Sequence, residues 1–167
     1  MEPRIIKKKE IILAGMDFCG DPYTKAGGWS EQNEIGRLWK RFTSYFDKHK
    51  DKIKHLVSKS GYEVWVDNIE KLDEKDKYIF VGVEIEKIED LPLGLVAKIL
   101  PRTKYAVFTV KGKEIKSNWG NNIYKDWLPK SSYKAAYDFL IEYYDENRFK
   151  GMDIEESELD IYVPIKN

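Results

Sequence analysis

The first half of the chain has the hydrophobic pattern of a strand, an amphipathic helix and two further strands. Residues 5–17 are typical of a strand, and the glycine- and proline-rich stretch 19–28 is typical of a loop. Ser30 is the predicted N-terminal cap of the helix. Apolar positions of that helix recur every three or four residues and therefore form one buried stripe, which consists of Ile35, Leu38, Trp39, Phe42 and Phe46.

Two alternating segments, residues 62–67 and 78–86, predict the strands that follow the helix, and the polar stretch 68–77 predicts a turn between them. The two faces of the second strand differ in kind. One face is wholly aliphatic and suits packing against a helix. Tyr78 and Phe80 lie on the opposite, aromatic face, which suits a wetter space of ligand size.

The second half of the chain repeats this order of elements after a boundary rich in proline and glycine. It predicts a strand at 105–110, a helix from a Ser117 cap to about Leu128, and strands at 139–144 and 158–165. The order strand, helix, strand, strand thus occurs twice. This favours a single domain, residues 1–167, made of two pseudo-repeat halves at about 1–100 and 101–167, with a cleft where the halves join.

Glu142 is a carboxylate inside an aromatic and aliphatic strand. It shares one face of that strand with Leu140 and Tyr144, and the opposite face, which includes Ile141, is apolar and is expected to pack on a helix. Burying a carboxylate costs several kcal/mol unless a partner compensates the charge or the group takes up a proton. We therefore expect Glu142 and Tyr144 to face a cavity; a solvated glutamate on an edge strand is the alternative.

Composition narrows the classes of function. The 29 basic and 29 acidic side chains cancel, which argues against the broad positive field that drives nucleic-acid binding. Cys19 is the only cysteine, and His49 and His55 have no matching ligand spacing, so neither a disulfide nor a metal site is expected, and no cofactor is predicted. No apolar run reaches the roughly 20 residues that span a bilayer, and the expected location is the cytoplasm.

Eight short segments, in order along nearly the whole chain, carry a resemblance to one family: residues 35–39, 81–86, 91–95, 105–108, 123–129, 142–145, 148–149 and 160–165. Together they resemble the GyrI-like small-molecule-binding domains, which are related to the effector-binding domains of AraC-class and MerR-class multidrug regulators. The resemblance implies an α+β fold in which tandem strand-helix-strand-strand units form a curved antiparallel sheet, with two helices, around a central hydrophobic cavity. Glu142 matches the central glutamate of that family, which meets lipophilic cationic ligands.

Aromatic side chains are the candidate lining of this cavity, because rings make up 14% of the chain. Trp65 and Tyr78 are favoured, since each lies opposite the aliphatic face of its strand. Glu84 or Glu86 would supply a second carboxylate if either approached Glu142. The other candidates, for each of which core packing is an equal alternative, are Phe80, Tyr105, Phe108 and Trp127; Trp39 is assigned to the core.

Three functions are compatible with this pattern. The first is a stand-alone domain that binds hydrophobic, often cationic, aromatic compounds through the cavity and Glu142. The second is a hydrolase that opens cyclopropane rings, with Glu142 as the acid or base and Tyr144 or Tyr78 as its hydrogen-bonding partner. The third is an interaction protein that inhibits DNA gyrase or contacts a partner regulator. Because the first strand begins near residue 5, no helix-turn-helix domain is expected before it.

Overall fold

A computed structural model describes residues 2–67 and 75–167, so most of the turn predicted at residues 68–77 lies outside the described residues. The sheet is built from strands and the helical elements lie on one of its faces. The strands are β1 (Arg4–Lys8), β2 (Ile11–Gly20), β3 (Leu56–Val66), β4 (Lys77–Ile85), β5 (Val96–Leu100), β6 (Thr103–Lys111), β7 (Lys134–Ala135), β8 (Phe139–Tyr144) and β9 (Glu158–Lys166).

These strands form one curled antiparallel sheet in the order β1-β6-β9-β8-β3-β4-β2-β5, with β7 pairing with β9. The strand order is symmetric about the β8–β3 boundary. Moving outward from it, β8, β9 and β6 of the second half occupy the same positions as β3, β4 and β2 of the first half. The halves are also joined at one edge, because β1 of the first half pairs with β6 of the second, whereas β5 pairs with β2 within the first half. The predicted α+β fold with tandem strand-helix-strand-strand units is therefore confirmed.

The N-terminal cap of the first helix, α1 (Glu34–His49), lies three residues after the predicted Ser30 cap. Asn33 caps it instead: its side-chain oxygen accepts a hydrogen bond from the Gly36 amide at 3.0 Å, and its amide group donates to the Gly28 carbonyl at 2.7 Å. An amide side chain makes both bonds because it carries an acceptor oxygen and a separate donor nitrogen. Asn33 therefore starts the helix and also fixes the loop before it.

The second helical segment, α2, is irregular and consists of Trp119–Asn121, the π-helical Asn122–Trp127 and Leu128–Lys130 in succession. It begins near the predicted Ser117 cap and extends past the predicted end at Leu128. A 3₁₀ turn, Lys50–Lys52, follows α1, and another, Gly112–Lys116, precedes α2. No helix among the described residues is long and apolar enough to cross a membrane.

The sheet has a helix-bearing face and an opposite face, and each has its own core. Under α1, the aliphatic face of β4 packs against the helix stripe as predicted, with Val81 and Phe42 among the buried residues. Under α2, the core includes Phe108 and Ile123. The cluster on the opposite face draws all its members from strands, so the curl of the sheet itself removes them from water.

One prediction about the faces was wrong. Ile141 was expected to pack under a helix, but it is fully buried in the cluster on the opposite face. The sequence correctly separated Ile141 from Glu142, because neighbouring residues of a strand point to opposite sides. It did not show that the helices and the cavity share one side of the sheet.

Candidate functional site

A cavity of about 1210 Å³ lies on the helix-bearing face, with α1 on one side, residues near the start of α2 on the other, and β3 and β8 beneath. That volume exceeds what a drug-sized ligand commonly needs. Aromatic rings dominate its walls: Tyr23, Trp29, Trp39, Phe42, Phe46, Trp65, Trp119, Tyr124, Tyr144 and Phe149. Such walls bind flat apolar groups with little selectivity for the shape of the ligand.

Two carboxylates meet on the floor of the cavity. The antiparallel register of β3 and β8 places Glu63 directly opposite Glu142, and directly opposed side chains on one face of a sheet lie within contact distance. Both are buried, with 1% and 4% of their surface exposed. In the described parts of the chain, neither forms an ion pair with a lysine, arginine or histidine. Two acidic groups thus share a buried site, and neither is paired with a cationic side chain of the described residues.

Glu63 is held by two indole N–H groups. Trp39, which reaches across from α1, donates to one carboxylate oxygen at 2.5 Å, and Trp65, two residues along β3, donates to the other at 2.6 Å. Hydrogen bonds to an ionised acceptor are the strong ones. The two tryptophans therefore fix the orientation of Glu63 and favour its charged form.

Tyr144 joins the two carboxyl groups. Its hydroxyl lies 2.9 Å from Glu142 Oε2, to which it donates, and 3.5 Å from Glu63 Oε2. A single hydroxyl has one proton to donate, so Glu142 receives the better bond. Burial and the two adjacent carboxylates raise the pKa of Tyr144 well above its ordinary value, and the phenol stays neutral.

The environment raises the pKa of both carboxyl groups. Burial is the main cause for Glu63, and its hydrogen bonds with Trp39, Trp65 and Tyr144 oppose it. Burial and then the charge of Glu63 raise the pKa of Glu142 well above its usual range, against one opposing bond from Tyr144. Two like charges about 4 Å apart repel by about 4 kcal/mol at an effective dielectric constant of about 20. A proton on the pair is therefore more stable on Glu142 than on Glu63.

Gly61 makes room for this arrangement. It lies opposite Tyr144 in the β3–β8 register, and a Cβ added there would come 2.8 Å from the ring of Trp39. Real Cβ atoms do not approach so closely, and the ring is fixed at its other end by Glu63. The absence of a side chain at this position lets Trp39 lie across the strand.

Gly61→Ala is expected to destabilise the protein by about 1–3 kcal/mol, because the added methyl group displaces the Trp39 ring. The check is chemical denaturation, together with the tryptophan emission spectrum, which should shift as Trp39 loses its hydrogen bond. Gly27→Ala is the matched control, since nothing lies within 4 Å of a Cβ added there. Equal stability of the two variants would show that Gly61 has no steric role.

Tyr23 lies above the floor, on the loop between β2 and α1. Its ring is stacked with that of Trp65, with centroids 6.5 Å apart and planes inclined by 25°. Tyr23 is 46% exposed, so this ring borders the solvent side of the cavity. A ligand entering from that side meets the ring of Tyr23.

The structure brings three of the predicted site residues together: Trp65, Glu142 and Tyr144 line the cavity. Trp39, which the sequence assigned to the core, lines it too and donates to Glu63. Its helical spacing correctly placed Trp39 on the buried stripe. Trp39 lies at the edge of that stripe and is half-buried, so it contacts both the core and the cavity.

The other predicted lining residues lie elsewhere. Phe80 and Tyr105 are fully buried in the core of the opposite face, and Tyr78 packs at its margin. Phe108 and Trp127 pack edge to face, with centroids 5.1 Å apart, in the core under α2. The aromatic face of β4 was expected to line the cavity because it opposes an aliphatic face. That inference fails because the cavity lies on the same side of the sheet as the helices.

Glu63 was missed, although the reasoning applied to Glu142 fits it equally. Each is a carboxylate inside a strand that follows a helical segment, and each is followed two residues later by a cavity aromatic, Trp65 or Tyr144. The second carboxylate was sought instead at Glu84 or Glu86. Glu84 lies on the opposite face, where it accepts a hydrogen bond from Tyr62 at 2.5 Å, and Glu86 is exposed beyond the end of β4.

Comparison with known proteins bears on this site. A family model described as Cass2, integron-associated effector binding protein, matches residues 4–165. Transcriptional regulator BrlR of Pseudomonas aeruginosa is 30% identical over 169 residues, which cover 99% of this chain and 56% of BrlR. The chain therefore spans about half the length of this curated relative.

Two solved structures share the fold over nearly the whole chain. SAV2435 bound to tetraphenylphosphonium superposes with a TM-score of 0.69 at 14% identity, covering 100% of this chain and 95% of SAV2435. The integron cassette protein VCH_CASS2, from the mobile metagenome of Vibrio cholerae, superposes with a TM-score of 0.61 at 16% identity, covering 99% and 96% of the two chains. At such identities the likeness establishes the fold alone.

Proposed function

The chain belongs to the Cass2 family of integron-associated effector binding proteins, and from that premise we propose that its cavity binds lipophilic organic cations. Its general role as a small-molecule-binding domain follows from the family. The finer proposal rests on one observation: Glu63 and Glu142 are buried side by side beneath aromatic walls, and neither forms an ion pair with a lysine, arginine or histidine of the described residues.

A bound organic cation fits this site for two physical reasons. Its charge offsets the repulsion between the carboxylates in a medium that screens charges poorly. Its apolar body gains from leaving water, and the electron-rich faces of tryptophan and tyrosine attract positive charge. Tetraphenylphosphonium, the compound bound to SAV2435, has both properties and is the natural first probe.

We expect tetraphenylphosphonium to bind and tetraphenylborate to bind at least 100-fold more weakly. The two ions have the same four phenyl groups and nearly the same size, but their charges are opposite, so shape and apolar area cancel in the comparison. Quenching of tryptophan emission reports binding, because Trp39 and Trp65 lie on the floor and wall of the cavity. Equal affinity for both ions would show that the carboxylates do not select charge.

A further inference from the structure

We propose that Glu63 and Glu142 adjust their charge to that of the ligand: the pair keeps one proton when a monocation binds and releases that proton when a dication binds. The inference rests on the proposed function, since it concerns how the same site treats cations of different charge. It predicts that one cavity accepts both classes and that pH sets its preference between them.

The geometry gives the pair two accessible charges. The carboxyl groups are direct cross-strand neighbours, and one tyrosine hydroxyl, that of Tyr144, lies within 3.5 Å of both. With one proton the pair carries one negative charge, which matches a monocation. Loss of that proton breaks the O–H bond of the protonated carboxyl, passes the proton to solvent and leaves two carboxylates. A second positive charge in the cavity stabilises that state.

Glu63 and Glu142 have different roles because their hydrogen-bond partners differ. Glu63 accepts hydrogen bonds from the indole N–H groups of Trp39 and Trp65. An indole N–H can only donate, so both bonds favour the ionised form of Glu63. Glu142 has one hydroxyl donor and has Glu63 as its charged neighbour. Glu63 is therefore the permanent anion, and Glu142 carries the exchangeable proton.

The other groups that face Glu142 do not supply this proton. Burial is the main cause that raises the pKa of Tyr23, on the loop before α1, and both carboxylates add to it. The pKa of Tyr144 on β8 is also raised, and burial raises that of Tyr124, on α2, to about 12. All three phenols keep their protons near neutral pH. The side chains of α1 that line the cavity include Trp39, whose indole does not titrate, and Lys40, which carries an ammonium group.

Charges farther out leave the pair uncompensated. Lys59 of β3 and Lys116, next to α2, also line the cavity, but Lys116 is paired with Asp153 at 2.5 Å. The outer walls also carry carboxylates at Glu31, Asp67, Asp145 and Glu146, of which Asp67 pairs with Lys77 at 3.4 Å and Asp145 with Arg148 at 3.8 Å. Several of these outer charges pair with one another or with nearby residues, so the uncompensated negative charge in the cavity is that of Glu63 and Glu142.

The test compares two probes that share a biaryl skeleton and carry no titratable group. N-methyl-4-phenylpyridinium has one permanent positive charge, and N,N′-dimethyl-4,4′-bipyridinium has two. Calorimetric titration of the full chain from pH 5 to 9, in buffers with different ionisation enthalpies, counts the protons released. We expect the dication to release about one proton more than the monocation. Its relative affinity should then rise up to tenfold per pH unit over the range in which Glu142 titrates.

Two variants separate the roles. Glu142→Gln should bind both probes with an affinity ratio independent of pH, because the exchangeable proton is gone. Glu84→Gln makes the same chemical change on the opposite face and should behave as the unmodified protein. A pH-independent ratio in the unmodified protein, or a persistent extra proton in Glu142→Gln, would overturn the exchange. Failure of both probes and of tetraphenylphosphonium to bind at any pH would overturn the proposed function as well.

Discussion

The double variant Glu63→Gln/Glu142→Gln is expected to bind tetraphenylphosphonium at least 100-fold more weakly than the unmodified protein. Glutamine keeps the size and much of the hydrogen bonding of each side chain but removes both charges. An interaction with a charged group contributes about 1.5–3 kcal/mol, and each 1.4 kcal/mol is a factor of ten in affinity. Affinity for tetraphenylborate should not fall in parallel, since that ion gains nothing from the carboxylates.

The single variants should each retain tetraphenylphosphonium binding to within about tenfold. In Glu142→Gln the anion Glu63 remains with its two indole donors. In Glu63→Gln the remaining carboxyl, Glu142, no longer has a charged neighbour and ionises more readily. The effects of the two substitutions are therefore expected to be strongly non-additive, as for residues that share one task.

Glu84→Gln is the control for both series, because its strand, β4, is adjacent to β3 and its side chain lies on the far face of the sheet. Fluorescence titration at one pH provides the affinities, and circular dichroism checks that each variant is folded. If the double variant bound the phosphonium ion within threefold of the unmodified protein, the carboxylates would have no part in recognition.

Glu142→Gln is also expected to stabilise the protein, and more so as the pH rises. The folded-state pKa of Glu142 is raised above its value in the unfolded chain, chiefly by burial and then by Glu63. Between those two values the folded protein holds more protons than the unfolded one. Stability is therefore fully present below the ordinary glutamate pKa and is lost as the pH rises through the raised value. The slope for one group is about 1.4 kcal/mol per pH unit.

Glutamine at position 142 does not ionise, so the variant does not lose stability through this group as the pH rises. Urea unfolding at pH 5, 6, 7 and 8 should show a difference in unfolding free energy that widens with pH across that window. The same series on Glu84→Gln should stay parallel to the unmodified protein. If the difference in unfolding free energy between Glu142→Gln and the unmodified protein were constant with pH, the surroundings would not raise the pKa of Glu142. The expected gain fits a general pattern in which sites built for binding cost stability.

Local patterns in the sequence determined several features correctly. Alternation placed Glu142 with Tyr144 and apart from Ile141, and helical spacing found the stripe that includes Leu38 and Phe42. The order of elements, together with the family resemblance, gave the duplicated α+β architecture. These features follow from the backbone periods of 2 and 3.6 residues, which depend only on neighbours along the chain.

The tertiary structure alone decided which side of the sheet holds the cavity and which residues meet there. Phe80 and Trp65 are both aromatic residues on alternating strands, yet only Trp65 is on the side that the helices share with the cavity. The Glu63–Glu142 pair arises from the register of two strands 79 positions apart, and Trp39 reaches Glu63 only because α1 lies across β3. Contacts of this kind depend on the packing of distant segments, on which local periodicity has no bearing.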